Sequence, residues 1–583
     1  MVLDIDRAGD IAVLTLDNPP VNALSTVVRR ALMDAAEAVD ADPQVAAAVL
    51  VCAGRTFVAG ADVREFGRPP EEPLLPAVIG RIERAAKPWV AAIHGQALGG
   101  GLELALGCRF RIAVPGARFG LPEVNLGIIP GAGGTVRTPR AIGAAAAADL
   151  ASSGRPVDAA RALQLGLIDS LAEGDLRTAA IDFLRVALSR PLPPPLCDRP
   201  VAPPPPGFWA EAESRVAAAA GGATAPCRAL ACVQRATELG FAEALAFERE
   251  TFLALRDTDE AAALRRVFFA ERAAPRPAAL KGIVPRPVAR AGLIGAGPAG
   301  RALLAALARS GLSTVLVDAD ADALEAAHAP LRQGAAAARA DVATGIAALS
   351  TADLVIATAE GEPAALAHAA ATCGPATILA KLVDTAAEVA ELDGLPGPER
   401  CLAVHLPAPL PSTRLMEVLP SAVTAPEVLA ASFALATRLA RIPLRPARAG
   451  GPITPRLRAA AQAEAESLLR SGVPAPALAA ALRDFGVALA LLDTQASTDL
   501  VCTPDPAERI AVALAEAGAE LLAQGAVADP VEIDLAAIHG LGFPRFRGGP
   551  LFWTCRHGAD VLAARIDRPV APALAGFLET EGN

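Results

Sequence analysis

Residues 291–318 leave the chain few ways to fold. Ala291–Ile294 reads as a short apolar strand. It runs into Gly295-Ala296-Gly297-Pro298-Ala299-Gly300, then a helix-forming stretch, then a second apolar strand, Thr314–Val317, that ends at Asp318. Glycines at this spacing allow a tight turn and let a bound pyrophosphate approach a helix N-terminus. An acidic residue closing the next strand is placed to accept ribose hydroxyls and disfavours a 2′-phosphate, so NAD is expected rather than NADP. The expected cofactor-binding residues are Gly295, Gly297, Ala299, Gly300 and Asp318.

A second set of glycines lies before residue 135. Glu103 closes Gly99-Gly100-Gly101-Leu102-Glu103, and Glu123 closes Phe119-Gly120-Leu121-Pro122-Glu123. Two carboxylates that meet in one pocket can hold one water and share its protons, as adding water to an activated double bond requires. The small-residue loop Ala59-Gly60-Ala61-Asp62 can point a backbone N–H into a pocket. The glycine triplet precedes a helix that starts near Leu102, where N–H donors are free and the dipole is favourable. Two such donors facing one another form an oxyanion hole for a thioester oxygen.

Composition narrows the alternatives. A chain of 583 residues, 53% hydrophobic, has material for three or four domains. The net charge of −10 argues against a general nucleic-acid binder, which needs a basic face. No signal pattern, bilayer-length apolar window or peroxisomal address is seen, and nine scattered cysteines with no Cys-x-x-Cys pair favour reduced thiols. A cytoplasmic protein without a metal site is expected. Cys227 and Cys232, the nearest pair, read as buried thiols, and Lys87 and His94 as structural.

Strands at Ile11–Leu16, Ala46–Cys52 and Pro88–Ile93 alternate with alanine-rich helical stretches, the mark of an α/β unit. Pro191–Pro206 is proline-dense, Phe208–Arg272 is helical in character, and Ala273–Pro287 is a second boundary. After Gly450 the chain reads as helical.

Residues 1 to about 183, including Lys87-Pro88-Trp89-Val90-Ala91-Ala92-Ile93-His94-Gly95, resemble the enoyl-CoA hydratase/isomerase (crotonase) superfamily. The resemblance implies that Ala61 and Gly100 supply the oxyanion hole. It assigns activation of water toward the β-carbon to Glu103 and proton exchange at the α-carbon to Glu123. The second half resembles the 3-hydroxyacyl-CoA dehydrogenases, in which a histidine and a glutamate at the spacing of His405 and Glu417 form the catalytic dyad. Phe268-Phe269-Ala270-Glu271-Arg272 looks like the connector of multifunctional β-oxidation enzymes, and Gly540-Leu541-Gly542-Phe543-Pro544 with Gly548-Gly549-Pro550 resembles their last helical module.

These resemblances imply an α/β multidomain protein. A crotonase-type (ββα) spiral domain over 1–190 is followed by a proline-rich edge and helical connector over 191–286. A Rossmann NAD-binding domain over 287–447 and an all-helical C-terminal region over 448–583 complete it. The implied function is hydration of a trans-2-enoyl-CoA and NAD-dependent oxidation of the 3-hydroxyacyl-CoA formed. The implied partners are an acyl-CoA thioester and a thiolase, and a monomer is compatible with the fused forms.

The dehydrogenase half departs from its family. Leu382-Val383-Asp384 aligns with an Asn-Thr-Ser loop, and Ala408 and Pro455 stand where asparagines are expected. Glu360 and Glu362 only neighbour the expected positions of a glutamate and lysine, and the helical module over 450–500 is short. Each lost polar contact costs about 1–3 kcal/mol if it orients substrate. Two rival readings therefore stand beside the bifunctional one: a hydratase with a structural or nucleotide-sensing Rossmann half, and a non-catalytic acyl-CoA-binding scaffold.

Overall fold

The computed structural model describes residues 2–62, 65, 69–333, 336–358, 364–410, 413–487 and 505–581. Glu360 and Glu362 lie outside the described residues. The chain divides into two compact units, Met1–Arg265 and Arg266–Asn583.

The first unit is built on a six-stranded sheet. Strands β1 (Leu3–Ala8) and β2 (Ile11–Leu16) form an antiparallel hairpin turning at Gly9. Strands β3 (Ala47–Cys52), β4 (Trp89–Ile93), β6 (Phe110–Ala113) and β9 (Ser170–Leu171) add in parallel, giving the order β1-β2-β3-β4-β6-β9. A smaller sheet joins β5 (Gln96–Leu98), β7 (Arg118–Gly120) and β8 (Val157–Asp158).

Strand periodicity sends alternate side chains to opposite faces. Leu14, Leu16, Ala48, Leu50, Ala91 and Ile93 enter the large core that the small sheet shares. Ile11, Val13, Ala47, Val49, Val90 and Ala92 pack instead toward Ala180, Ile181 and Leu184 of the helix Leu176–Leu188. With both faces covered, β3 and β4 are buried at every position, which is why they read as continuous apolar runs.

The helices Phe208–Ala220, Ala225–Glu238 and Phe241–Arg256 follow the proline segment. They lay Ala212, Val216, Ala229, Leu230, Val233 and Leu255 into the same core. Of the two thiols expected to be buried, Cys232 is buried and Cys227, on the first turn of its helix, is exposed, whereas the structural roles expected of Lys87 and His94 match their contacts. Lys87 Nζ donates to Val39 O at 2.7 Å and also to Asp42 O, and His94 Nε2 lies 3.1 Å from Gly54 O.

The second unit holds an eight-stranded sheet of order β12-β11-β10-β13-β14-β15-β16-β17. Its strands are β10 (Arg290–Ile294), β11 (Ser313–Val317), β12 (Ala340–Ala343), β13 (Leu354–Ala357), β14 (Ile378–Leu382), β15 (Cys401–His405), β16 (Leu415–Pro420) and β17 (Ile442–Leu444). All neighbours are parallel except β15 and β16. Strand order reverses between β10 and β13, the switch point at which doubly wound sheets bind ligands.

The C-terminal helices, among them Ile453–Arg470, Pro506–Ala523 and Pro530–Ala536, share a separate core with Val267 and Ala270. Glu271 ties the connector to them. It accepts bonds from Arg545 Nη2 (2.9 Å) and Nε (3.1 Å), with His539 Nε2 at 3.0 Å. Burial alone would raise its carboxyl, but these partners hold it down at about 2.

Candidate active sites

The first site grows from the end of β5. Gly99 takes φ +54, ψ −128, a backbone conformation that L side chains rarely adopt, and so turns the chain into the helix Gly100–Gly107. A Cβ on Gly99 would lie 2.9 Å from Glu123 Oε1, so the Glu123 carboxyl sits directly over this turn. A Cβ on Gly100 would lie 3.3 Å from the amide nitrogen of Ala61, so the two expected oxyanion donors are neighbours.

Glu103, in the first turn of the helix, is only 3% exposed. Its Oε1 accepts the N–H groups of Ala132 and Gly134, both at 2.8 Å. Glu123 stands in the short 3₁₀ turn Pro122–Leu126, and its Oε2 is buried without a hydrogen-bond partner. A buried, unpaired carboxyl oxygen is costly and marks a place where something else must bond. Ala61, Gly100, Glu103 and Glu123 line one cavity of about 410 Å³, together with Ile128, Ile129 and, from the helix Phe241–Arg256, Arg249, Phe252 and Arg256.

The electrostatics separate the two glutamates. Burial pushes the Glu103 carboxyl up, but the Ala132 and Gly134 amides and the charges of Arg137 and Arg249 pull it back. Burial also raises Glu123, and the negative charges of Glu103 and Glu248 raise it further, well above the ordinary range. Both carboxyls stay above the ordinary range, Glu123 further than Glu103, so Glu123 holds its proton the more strongly while two amide donors favour the anion of Glu103.

Glu248 was not among the expected residues. It accepts Gly133 N at 2.6 Å, Thr135 N at 2.8 Å and Thr135 Oγ1 at 2.5 Å, and burial pushes it up to about 8. No sequence signal marks it: its burial beside Ala244 and Leu255 appears only once the helix is folded. Arg137 braces the same loop, donating to Ala132 O (2.9 Å) and pairing with buried Glu83 at 2.8 Å.

The second site begins at the glycine loop. Gly295 has φ +104, and a Cβ on Gly300 would lie 1.8 Å from Gly295 O, so the helix Pro298–Arg309 presses directly on the turn. Asp318 ends beside this loop, its Oδ2 accepting Ala296 N at 2.6 Å and its Oδ1 accepting Asp320 N at 2.9 Å. Gly300 thus lets the helix N-terminus pack against the glycine turn, and this close-packed cradle, with Asp318 at its edge, fits a dinucleotide. Pro298 and Ala299 also line a cavity of about 790 Å³ that reaches His405.

His405 and Glu417 are opposite one another in the β15–β16 register. The carboxylate bonded to the imidazole is nevertheless Asp384. His405 Nδ1 lies 2.9 Å from Val383 O and 3.0 Å from Asp384 Oδ1. The buried Glu417 is engaged by the start of the helix Ile453–Arg470. It accepts Ile453 N at 2.5 Å, Thr454 N at 3.0 Å and the Thr454 hydroxyl. Burial alone would lower His405, but the Asp384 bond, the Glu417 charge and the Val383 carbonyl outweigh it and raise the imidazole above its usual value. The departures from the family pattern gather here: Leu382, Val383, Asp384, Ala408 and Pro455 all line the cavity, with Arg458 beside them.

Among the described residues, no cluster of three or more His, Cys, Asp or Glu is arranged to hold a metal ion, and no helix is long and apolar enough to cross a membrane.

The profile of the enoyl-CoA hydratase/isomerase family matches residues 6–190, and that of the 3-hydroxyacyl-CoA dehydrogenase NAD-binding domain matches residues 290–448. A peroxisomal bifunctional enzyme of Danio rerio is 32% identical, over 96% of this chain and 93% of its own length. Its human counterpart is 29% identical over the same shares. The fatty acid oxidation complex subunit alpha of Shewanella amazonensis is 28% identical, over 96% of this chain and 95% of its own. With both family models matched and a relative 32% identical covered nearly end to end, the chain belongs to the family of fused enoyl-CoA hydratase/3-hydroxyacyl-CoA dehydrogenases.

Proposed function

We propose that the two reactions of this bifunctional enzyme run at the two cavities, hydration at Glu103 and Glu123 and oxidation at His405. The observation that carries the first assignment is the unpartnered Glu123 Oε2 on the cavity that also holds Glu103, Ala61 and Gly100. In this reading, a water between the carboxyl groups loses a proton to Glu103 as its oxygen attacks the β-carbon. Glu123 delivers a proton to the α-carbon. Charge that develops on the thioester oxygen is taken by the Ala61 and Gly100 N–H groups. The same acid and base, used at different carbons, support double-bond isomerisation.

At the second cavity, Gly295, Gly297, Ala299, Gly300 and Asp318 would hold the dinucleotide, with Gly300 keeping the helix N-terminus close to its pyrophosphate. NAD, when bound, accepts the hydride. His405 accepts the proton of the substrate hydroxyl, and Glu417 adds its negative charge to the stabilisation of the imidazolium.

The expected division at 1–190, 191–286, 287–447 and 448–583 is our assignment along the chain, with the connector helices between Phe208 and Arg256 completing the hydratase core and cavity. A cytoplasmic location is supported by the bacterial relative. That relative is named as a subunit of a complex, which supports association with a second subunit, and we assign a thiolase as the consumer of the 3-ketoacyl-CoA. A monomeric chain within that association completes the reading.

Crotonyl-CoA supplied with and without NAD tests the scheme. Hydration should proceed in both cases, and NADH should accumulate only with NAD. Retained hydration with no NADH would favour an inert Rossmann half. Binding of the thioester without turnover would favour a scaffold.

A further inference from the structure

The dehydrogenase cavity has been rebuilt around a carboxylate that the family pattern places elsewhere. Three observations point to it. First, Asp384 Oδ1 lies 3.0 Å from His405 Nδ1, while Glu417 is committed to Ile453 N, Thr454 N and the Thr454 hydroxyl. Second, the Asp384 backbone is held by the carboxylate of the Thr385–Glu388 capping box. Glu388 accepts Asp384 N and Thr385 N, each at 2.9 Å, at the start of the helix Ala386–Ala390. Third, the Asp384 side chain is 76% exposed and lines the cavity, whereas His405 is buried at its wall.

We propose that Asp384 is the positioning carboxylate of the dehydrogenase base, holding the His405 ring and stabilising the imidazolium that forms when Nε2 takes the substrate proton. Nδ1 has two oxygen acceptors, Val383 O and Asp384 Oδ1, so it carries hydrogen and the neutral ring keeps its lone pair on Nε2. The proton balance is simple. The substrate O–H proton goes to Nε2, the O–H electron pair becomes the new C=O bond, and the C–H pair leaves with its hydrogen as hydride, which NAD would accept when bound. Positive charge then appears on the ring, and Asp384 is the carboxylate bonded to it.

The charged groups around the ring come from each element packed on it. Asp384 and Glu388 follow β14, Glu417 lies on β16, and Arg458 comes from the helix Ile453–Arg470 and feels Asp384. Glu532, on the helix Pro530–Ala536, acts on this set through its proximity to Glu417. The negative groups favour the imidazolium, and Arg458 opposes them.

The inference rests on oxidation at this cleft, so its test has one readout that needs no turnover. Full-length Asp384→Asn and Asp384→Glu are compared with wild type in two ways. The His405 titration is followed by NMR of ¹³C-labelled histidine, assigned with His405→Gln. NADH formation from 3-hydroxybutyryl-CoA is followed against pH. In Asp384→Asn the His405 midpoint and the acid limb of kcat should both move about one unit or more to lower pH. The plateau kcat should fall about tenfold or more with little change in KM. Asp384→Glu should restore the wild-type midpoint. A midpoint shift in a protein that makes no NADH would keep the positioning role and sink the oxidation reading. A His405 midpoint unmoved in Asp384→Asn would overturn the proposal, whatever the rate.

Discussion

Glu103 and Glu248 hold one loop by alternate amides. The N–H groups of Ala132 and Gly134 go to Glu103, and those of Gly133 and Thr135 go to Glu248 on a helix more than a hundred residues later in the chain. Each carboxylate therefore fixes the donors of the other. The helix Phe241–Arg256 also lines the cavity through Arg249, Phe252 and Arg256, so it belongs to the hydratase site although it follows the proline-dense segment.

Removing Glu248 should slow hydration without abolishing substrate binding. In Glu248→Gln at least one of the donors at Gly133, Thr135 N or Thr135 Oγ1 would face an amide NH₂ instead of an acceptor. Leaving a buried donor unsatisfied costs about 1–3 kcal/mol. If this appears as misplacement of Glu103, kcat for crotonyl-CoA hydration should drop about 5–150-fold. Steady-state kinetics should show the change in kcat and little in KM. An unaltered kcat would remove Glu248 from the catalytic account.

The same residue makes the first unit sensitive to alkali. Glu248 has a folded value of about 8 against an ordinary 4.5. Between those values the folded state binds more protons than the unfolded state, so stability falls as pH rises. The contribution is complete below about pH 4.5 and is lost as pH passes through about 8. Glu123, also raised, acts in the same direction. Thermal unfolding across this window should show a decline in wild type that Glu248→Gln makes shallower. Identical slopes would contradict the assigned cause.

The glycine loop of the second unit offers a way to separate the two reactions. In Gly300→Ala the new Cβ would lie 1.8 Å from Gly295 O, a backbone atom that cannot swing aside. Strain of about 1–3 kcal/mol corresponds to about 5–150-fold in NAD affinity. Titration with NAD should show this loss, while crotonyl-CoA hydration stays at the wild-type level. Undiminished NAD affinity would mean that the cradle is not the cofactor site.

Much of this was legible because the signals are local. Strands β3 and β4 are buried on both faces and therefore read as unbroken apolar runs. Gly99, Gly295 and Gly300 are required by a turn or a close approach that other residues do not satisfy. What stayed hidden depends on partners distant in sequence. Glu248 looks like any helical glutamate until its helix is folded against the loop at 131–135. The pairing of His405 with Glu417 came from the family resemblance and not from their spacing alone, and the register does set them opposite. The bond from Asp384 was not readable, because it depends on how the capping box after β14 aims one side chain. Asp384 registered only as a departure from the family pattern, whereas the fold makes it the nearest carboxylate to the imidazole.

The central assignment is the shared water of Glu103 and Glu123, and its most direct test is the rate of crotonyl-CoA hydration in Glu103→Gln and in Glu123→Gln. Both substitutions keep side-chain size and remove one proton-transfer group. Each rate should fall by about 10²–10⁴ while thioester binding is retained. Hydration at the wild-type rate in either variant would contradict the two-carboxyl mechanism.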